Sequence, residues 1–323
     1  NFMTLKKELE KEGFKFHSNS DTEVLLNSYK CWGYGCLNKI NGMFLFVIYD
    51  GYKNMIFGAR DIAGQKPFYY SMVNNTFLFG SDLQTISSNP IIRKRICMKS
   101  LDYYLSRGYT PLQKTLIKGV SKLPPGNAIS YDLENGDLKI WKYWNLPKRD
   151  LNLNFSNKSI LNLLEEKLEN AVTSQLISDV PIGICLSGGL DSSLITALAS
   201  RNLKNISTFT AIFPSDQQYD ESKHANLIAN HFSTNHHEIR INNPSIDIFN
   251  QIKDFFDEPL ADSSTISTFL LFSELSKICK VALGGDGSDE LFGGYSHHHN
   301  KDAFLIKYFP SLISEKIYKH IFD

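Results

Sequence analysis

Charge of one sign is missing from this chain. Its 34 Lys and Arg balance 34 Asp and Glu, leaving a formal net charge of zero. Such a balance does not pull a protein toward nucleic acid or an anionic membrane surface, and neither is expected as a partner. Cysteine is scarce. Cys31, Cys36, Cys97, Cys185 and Cys279 are odd in number and irregularly spaced, which argues against a disulfide framework and fits reduced thiols in the cytoplasm. The C-x4-C of Cys31 and Cys36 has no second pair, so both are read as structural rather than as zinc ligands. Long apolar runs are missing too: the longest, "MFLFVIY" from Met43 to Tyr49, has strand length and is too short to span a bilayer. The opening "NFMTLKKELEKEGF" is charged and helical in pattern, unlike a signal peptide. Internal repeats and low-complexity tracts are absent. The chain starts at Asn1 rather than Met, which reads as a processed product or a fragment.

What is present falls into two rhythms. "TLKKELEK" and "DTEVLLNSYKCWG" predict two short helices, the second presenting Val24, Leu25 and Tyr29 on one face. Then come "MFLFVIYD", "NMIFGARD", "KPFYYSMV" and "NTFLFGS", aromatic-rich runs separated by "DGYKN", "IAGQ" and "VNN". Spacing this close demands antiparallel pairing, because parallel strands need longer crossovers. More strand follows in "LPPGNAISYDLENGDLKIWKYW", so residues 1–149 read as an α+β domain with antiparallel sheets. The aromatics of these runs are read as core, since no basic residues interleave them as in a base-stacking platform. The polar "LPKRDLNLNFSNKS" is the boundary. From 150 to 323, after a helix over about Ser159 to Ser178, apolar strands alternate with helices: "PIGICLS", "ISTFTAIF", "HHEIRI" and "KVALGG". That alternation predicts an α/β domain with a doubly wound parallel sheet and ligands at the strand C-terminal ends.

Two glycine loops follow strands of this second half. "CLSGGLDSS" (Cys185 to Ser193) lacks the lysine of a G-x-x-x-x-G-K-S/T loop, and Leu186 breaks the G-x-S-x-G pattern of a nucleophile elbow. An anion site fits better. Gly188 and Gly189 let backbone N–H groups approach a phosphate, Ser187, Ser192 and Ser193 offer hydroxyls, and the following helix adds its positive end. Asp191 would repel a bare phosphate, so it implies a bridging Mg²⁺; alternatively it is only the N-cap of a tight turn. "LGGDGSDELFGGY" (Leu283 to Tyr295) sets Asp286, Asp289 and Glu290 among glycines at another strand end. One loop cradling phosphate and one supplying carboxylates suit an adenylating, pyrophosphate-releasing site. His236 and His237 are read as structural, and His297–His299 as surface histidines.

"SGGLDSS" resembles the PP-loop of ATP pyrophosphatases. With "LGGDGSDELFGGY", "DEPLADSST", "YDESKHANLIANHFSTNHHE" and "SDVPIGICLSGG", it is similar to glutamine-dependent asparagine synthetases. "SDTEVLLNSYKCWG", "NGMFLFVIYD", "ARDIAGQKPFYY", "GSDLQTI" and "KLPPG" resemble, in order, the same family's class II glutaminase domain. The resemblance covers nearly the whole chain. It implies an N-terminal-nucleophile-hydrolase-like domain that hydrolyses glutamine, and a PP-loop domain in which ATP adenylates a carboxylate with release of pyrophosphate. The product implied is asparagine from aspartate, through a ligase of the carbon–nitrogen class; another acceptor, such as a sugar acid, and a non-catalytic fragment stay open, as does homodimerisation. By motif, Asp21 would hold the glutamine amino group, while Leu186, Ala211, Gly284 and Gly285 would contact the nucleotide. Ser187 to Ser193 would bind pyrophosphate, Asp191 and Asp289 would hold Mg²⁺, and Asp286 would support the acyl-adenylate. Gly284 stands where the family has a serine. The family's nucleophilic cysteine and a downstream lysine have no counterparts, so truncation at both ends and no glutaminase activity are expected of the chain as given.

Overall fold

The computed structural model describes residues 1–147, 156–214, 220–241 and 246–295. The chain forms two compact units, residues 1–154 with 245–266, and residues 155–244 with 267–323.

The N-terminal unit opens with two helices, α1 (Phe2–Lys11) and α2 (Asp21–Trp32). α2 starts cleanly because Ser20 caps it by accepting from the Thr22 N–H. Glu23 then reaches back to the N–H groups of His17 and Ser18, at 2.9 and 2.7 Å, in the manner of a capping box. The strands β1 (Leu45–Asp50), β2 (Met55–Arg60), β3 (Tyr69–Val73) and β4 (Thr76–Gly80) occupy the four aromatic-rich runs. Helices α3 (Leu83–Ser88) and α4 (Met98–Arg107) follow, then β5 (Ser121–Lys122), β6 (Asn127–Asp132) and β7 (Leu138–Lys142). They make two sheets, β1-β2-β6-β7 and β4-β3-β5, and every pairing is antiparallel. The β3–β4 turn is tight because Asn74 and Asn75 both take positive φ, 50° and 57°, the requirement of the hairpin turns that follow the strand twist. One core buries Tyr29, Cys36, Phe46 and Phe57 under α2; another joins the two sheets at Phe68, Leu123 and Ile129. Phe46, Phe68 and Tyr69 are thus core as expected, whereas Met43 and Tyr49 are exposed.

The second unit has α5 (Asn157–Gln175), β8 (Ile182–Cys185), α6 (Leu190–Asn202), β9 (Ser207–Ile212), α7 (Ser222–His231) and β10 (Asn235–Arg240). After α8 (Ile246–Phe255) come α9 (Ser264–Leu275), β11 (Val281–Leu283) and α10 (Ser288–Phe292). The strands form one parallel sheet in the order β10-β9-β8-β11. The chain winds outward from β8 through β9 and β10, then returns to the far side of β8. The β8/β11 junction is therefore the topological switch point, where open α/β sheets have their crevice. One feature differs from the sequence reading. Residues 245–266, which include α8, pack with the N-terminal unit. The expected boundary at 149/150 lies outside the described residues, as do His297–His299. Among the described residues no helix is long and apolar enough to cross a membrane, and all five cysteines are free thiols.

Candidate active site

The first glycine loop leaves β8 at Cys185 and enters α6 at Leu190. Leu186 is pinned in the sheet: its N–H donates to the Phe209 carbonyl at 2.8 Å, and its carbonyl accepts from the Thr210 hydroxyl. Beyond it the serines knit the turn. The Ser187 and Ser192 hydroxyls lie 3.0 Å apart, the Gly189 N–H donates to Ser187 Oγ at 3.2 Å, and Ser192 Oγ reaches the Gly189 carbonyl at 3.2 Å. Gly188 takes φ +84°, and a Cβ there would lie 2.5 Å from the Ala225 nitrogen of α7. The N-cap of α6 is Gly189, with Asp191 in the first turn. Asp191 is therefore not the cap; its carboxylate lies in the first turn, beside the positive end of the helix. The first N–H groups of a helix have no intrahelical partner, and the Ser193 hydroxyl is buried without one.

The second loop leaves β11 at Leu283 and turns into α10 at Ser288. A Cβ on Gly285 would sit 3.2 Å from Asp191 Cβ and 3.6 Å from the Ser192 nitrogen, so the two glycine loops touch. Together they enclose a cleft of about 470 Å³ at the switch point. Leu186, Ser187, Gly189, Asp191 and Ser192 line it from the first loop, Ala211 from the end of β9, and Gly284, Gly285, Asp286 and Asp289 from the second. Gly188 and Ser193 are not on its lining; the first packs on α7.

The cleft is strongly acidic. Glu221 and Glu290 join the three aspartates on its wall, and the described lining contains no Lys, Arg or His. Tyr295 donates its hydroxyl to Glu290 at 2.9 Å. Burial, reinforced by Asp286 and Cys279, pushes the Cys185 thiol up to about 11, so it is an inert wall rather than a nucleophile. The opposite wall is a face of α9, Thr268, Leu271 and Phe272. Sequence reasoning assigned no role to Glu221, to Tyr295 or to this face. Its i, i+3, i+4 spacing was the available signal.

The N-terminal unit carries a separate pocket of about 820 Å³. Asp21 stands at its edge in the first turn of α2, with Lys66, Pro67 and Ser81 also on the lining. The loop bearing Lys66 is shaped from beneath. The buried Asp61 carboxylate accepts the N–H groups of Ala63, Gln65 and Lys66, and Arg60 donates to the Gly64, Lys66 and Leu123 carbonyls at 2.6–2.7 Å. None of the cysteines lines this pocket among the described residues. Cys36 is buried in the core, its thiol pushed up to about 11 by desolvation.

Two family models match successive stretches of the chain. Residues 1–144 match the glutamine amidotransferase domain family and residues 163–321 the asparagine synthase family. Asparagine synthetase (glutamine-hydrolyzing) 3 of Bacillus subtilis is 32% identical over 317 residues, 93% of this chain and 51% of that protein. Asparagine synthetase (glutamine-hydrolyzing) 1 of the same organism is 31% identical over 92% of this chain and 46% of its own length. A Methanocaldococcus jannaschii protein, provisionally designated asparagine synthetase (glutamine-hydrolyzing) 2, is 33% identical over 93% of this chain and 58% of its own. The chain spans about half the length of these curated relatives. It belongs to the glutamine-dependent asparagine synthetase family.

Proposed function

We propose that the cleft at the β8/β11 switch point binds ATP with Mg²⁺ and activates a carboxylate for amidation, with aspartate as acceptor and asparagine as product. The observation that carries this reading is the contact of the two glycine loops, which brings a helix N-terminus and three aspartates to one crevice. The donor set fits the substrates. Leu186, Ala211, Gly284 and Gly285 offer an apolar and backbone surface to the adenine nucleotide. Ser187, Gly189 and Ser192, with the first N–H groups of α6, face the phosphate chain; Gly188 holds the loop in shape for them. The Ser193 hydroxyl is a further donor on the same turn.

Asp191 and Asp289 would hold Mg²⁺. Among the described residues no three His, Cys, Asp or Glu side chains form a metal-holding group, and a magnesium ion bound through one or two carboxylates and substrate phosphates needs no third. The cation supplies charge neutralisation for the departing pyrophosphate. The acceptor carboxylate oxygen attacks the α-phosphorus, forming a C–O–P link as the bond to the β-phosphate breaks; Asp286 supports the acyl-adenylate, and ammonia then displaces AMP. Glutamine would bind in the N-terminal pocket, its amino group on Asp21, in a domain of the N-terminal-nucleophile-hydrolase class. Residues 1–149 and 150–323 are the proposed functional domains, and the cytoplasm the proposed location.

Calorimetry and ATP–pyrophosphate exchange with aspartate test the reading. Wild type should bind ATP in a Mg²⁺-dependent manner, and Asp191→Asn should lose about tenfold or more in that affinity, the scale of one charge-assisted contact. Equal affinity in the variant overturns the phosphate-loop assignment. Binding without aspartate-dependent exchange overturns aspartate as acceptor and favours another carboxylate.

A further inference from the structure

We propose that Gly294 is a positioning residue for Asp289: the side chain absent at 294 leaves the seat that sets the Asp289 carboxylate on the cleft wall. That role rests on the cleft being the ATP site, and Gly294, Asp289 and the cleft all lie in the second unit. α10 ends at Phe292 and is capped by Gly293 in the left-handed region, at φ 72°, the common helix-ending conformation of glycine. The cap turns the chain back over the first turn of its own helix. The N–H groups of Gly293 and Gly294 both donate to the Asp289 carbonyl, at 2.8 and 3.0 Å, and the Tyr295 hydroxyl donates to Glu290 at 2.9 Å. Residue 294 is thereby held against residue 289.

The three nearest atoms that a Cβ on Gly294 would meet all belong to Asp289. It would fall inside the contact distance of Oδ1, 2.8 Å from Cγ and 3.2 Å from Cα. Gly287 and Gly293 take positive φ and Gly294 does not, so backbone conformation accounts for the first two glycines and space for the third. The same relation recurs around the cleft. A Cβ on Gly284 would lie 3.0 Å from Asp286 Oδ2, and one on Gly285 3.2 Å from Asp191 Cβ. Each of the three aspartates on the cleft wall thus lies against a glycine. Gly284 and Gly285 also line the cleft, whereas Gly294 does not, so a methyl at 294 acts on the cleft through the side chain it displaces. Ordinary contact begins at 3.4 Å, and the Asp289 carboxylate carbon would have to retreat by at least 3.4 − 2.8 = 0.6 Å. Mg²⁺ demands near-ideal octahedral geometry and tolerates such a shift poorly.

Gly294→Ala, Asp289→Ala and the double variant form a cycle, read by ATP calorimetry with Mg²⁺ and with EDTA, and by urea unfolding. Gly294→Ala should weaken ATP binding in Mg²⁺ about tenfold or more, the scale of loss when the support of a metal ligand is removed. Affinity in EDTA should stay the same. In the Asp289→Ala background the crowded carboxylate is gone, and the same methyl should cost no further affinity. Unchanged affinity in Mg²⁺, an equal loss in EDTA, or the full loss in the Asp289→Ala background overturns the proposal, since each means that the glycine does not act through that carboxylate. The urea midpoint reads the seat without ligand: Gly294→Ala should lower it, and adding Asp289→Ala should cancel that loss, including any failure to fold. If wild type binds ATP equally in Mg²⁺ and EDTA, or not at all, the nucleotide reading fails instead. The midpoint cycle then decides the seat alone, coupling upholding it and simple additivity overturning it.

Discussion

Gly188→Ala is the sharpest perturbation of the first glycine loop, because it touches no residue that lines the cleft. At φ +84° an L-residue is strained by about 1–2 kcal/mol. The new methyl would also lie 2.5 Å from the Ala225 nitrogen, 2.7 Å from His224 Cβ and 2.8 Å from the His224 carbonyl carbon. Two of these three atoms are backbone and the third is a Cβ, so a side-chain rotation cannot relieve the contact. Ordinary contact begins at 3.4 Å, and α7 would have to retreat by the difference, 3.4 − 2.5 = 0.9 Å. It cannot do so freely, since Ala225 and Ala229 are buried against Leu186. Overpacking of this kind adds about 1–3 kcal/mol, for a total of roughly 2–5 kcal/mol. Gly189→Ala is the control: its φ is −67° and its nearest neighbour, Ser187 Oγ, is 3.3 Å away, so the loss should be at most about 1 kcal/mol. Urea unfolding followed by circular dichroism reads the loss. Tryptophan fluorescence reads the other unit, because Trp32, Trp141 and Trp144 all lie within residues 1–154, and that transition should stay in place. A loss under about 1 kcal/mol for Gly188→Ala, or no difference between the two variants, refutes the packing of Gly188 on α7.

Two further outcomes follow from perturbed side chains. Burial holds the His236 imidazole below the ordinary histidine value of 6.5, with Nδ1 2.9 Å from the Thr208 hydroxyl and Nε2 buried without a partner. The folded state then binds the proton less tightly than the unfolded chain, so stability is lost as pH falls below about 6.5 and restored as it rises. His236→Gln should flatten the midpoint-against-pH curve between pH 7 and about 5.5, and parallel curves would refute the assignment. Hydrogen bonds from Ser100 lower the Cys97 thiol below its ordinary 9.0, while Cys36 and Cys185 sit at about 11. Iodoacetamide at pH 8 should therefore label Cys97 ahead of Cys36 and Cys185, by on the order of a hundredfold in thiolate population. Mass spectrometry finding Cys185 labelled first would contradict its burial.

Much of the fold was legible because its signals are local. Alternation and the "VNN" turn placed the β3–β4 hairpin, and the strand–helix rhythm after residue 156 gave four parallel strands in their observed places. Periodicity could not say which side of α6 each serine takes. Ser192 turns back to Ser187 and Ser193 does not, so two adjacent residues of one motif have different surroundings. Nor could it assign residues 245–266 to the N-terminal unit. That grouping includes Glu258 meeting Lys122, 136 positions away, and nothing in either residue's neighbourhood announces the pairing.

The cleft makes the same point from the other direction. Gly285 and Asp191 are far apart in the chain yet adjacent in space, because β11 returns to the free edge of β8 after β9 and β10 have filled the other. Each loop alone is ambiguous: a glycine turn before a helix, or a few acids at a strand end. Their meaning comes from the strand order, which faces a helix N-terminus with the carboxylates of another strand's loop. A positive helix end beside Asp191, Asp286 and Asp289 suits neither a free anion nor a free cation. It suits an anion that arrives with its cation, so under the proposed function ATP binding should depend on Mg²⁺.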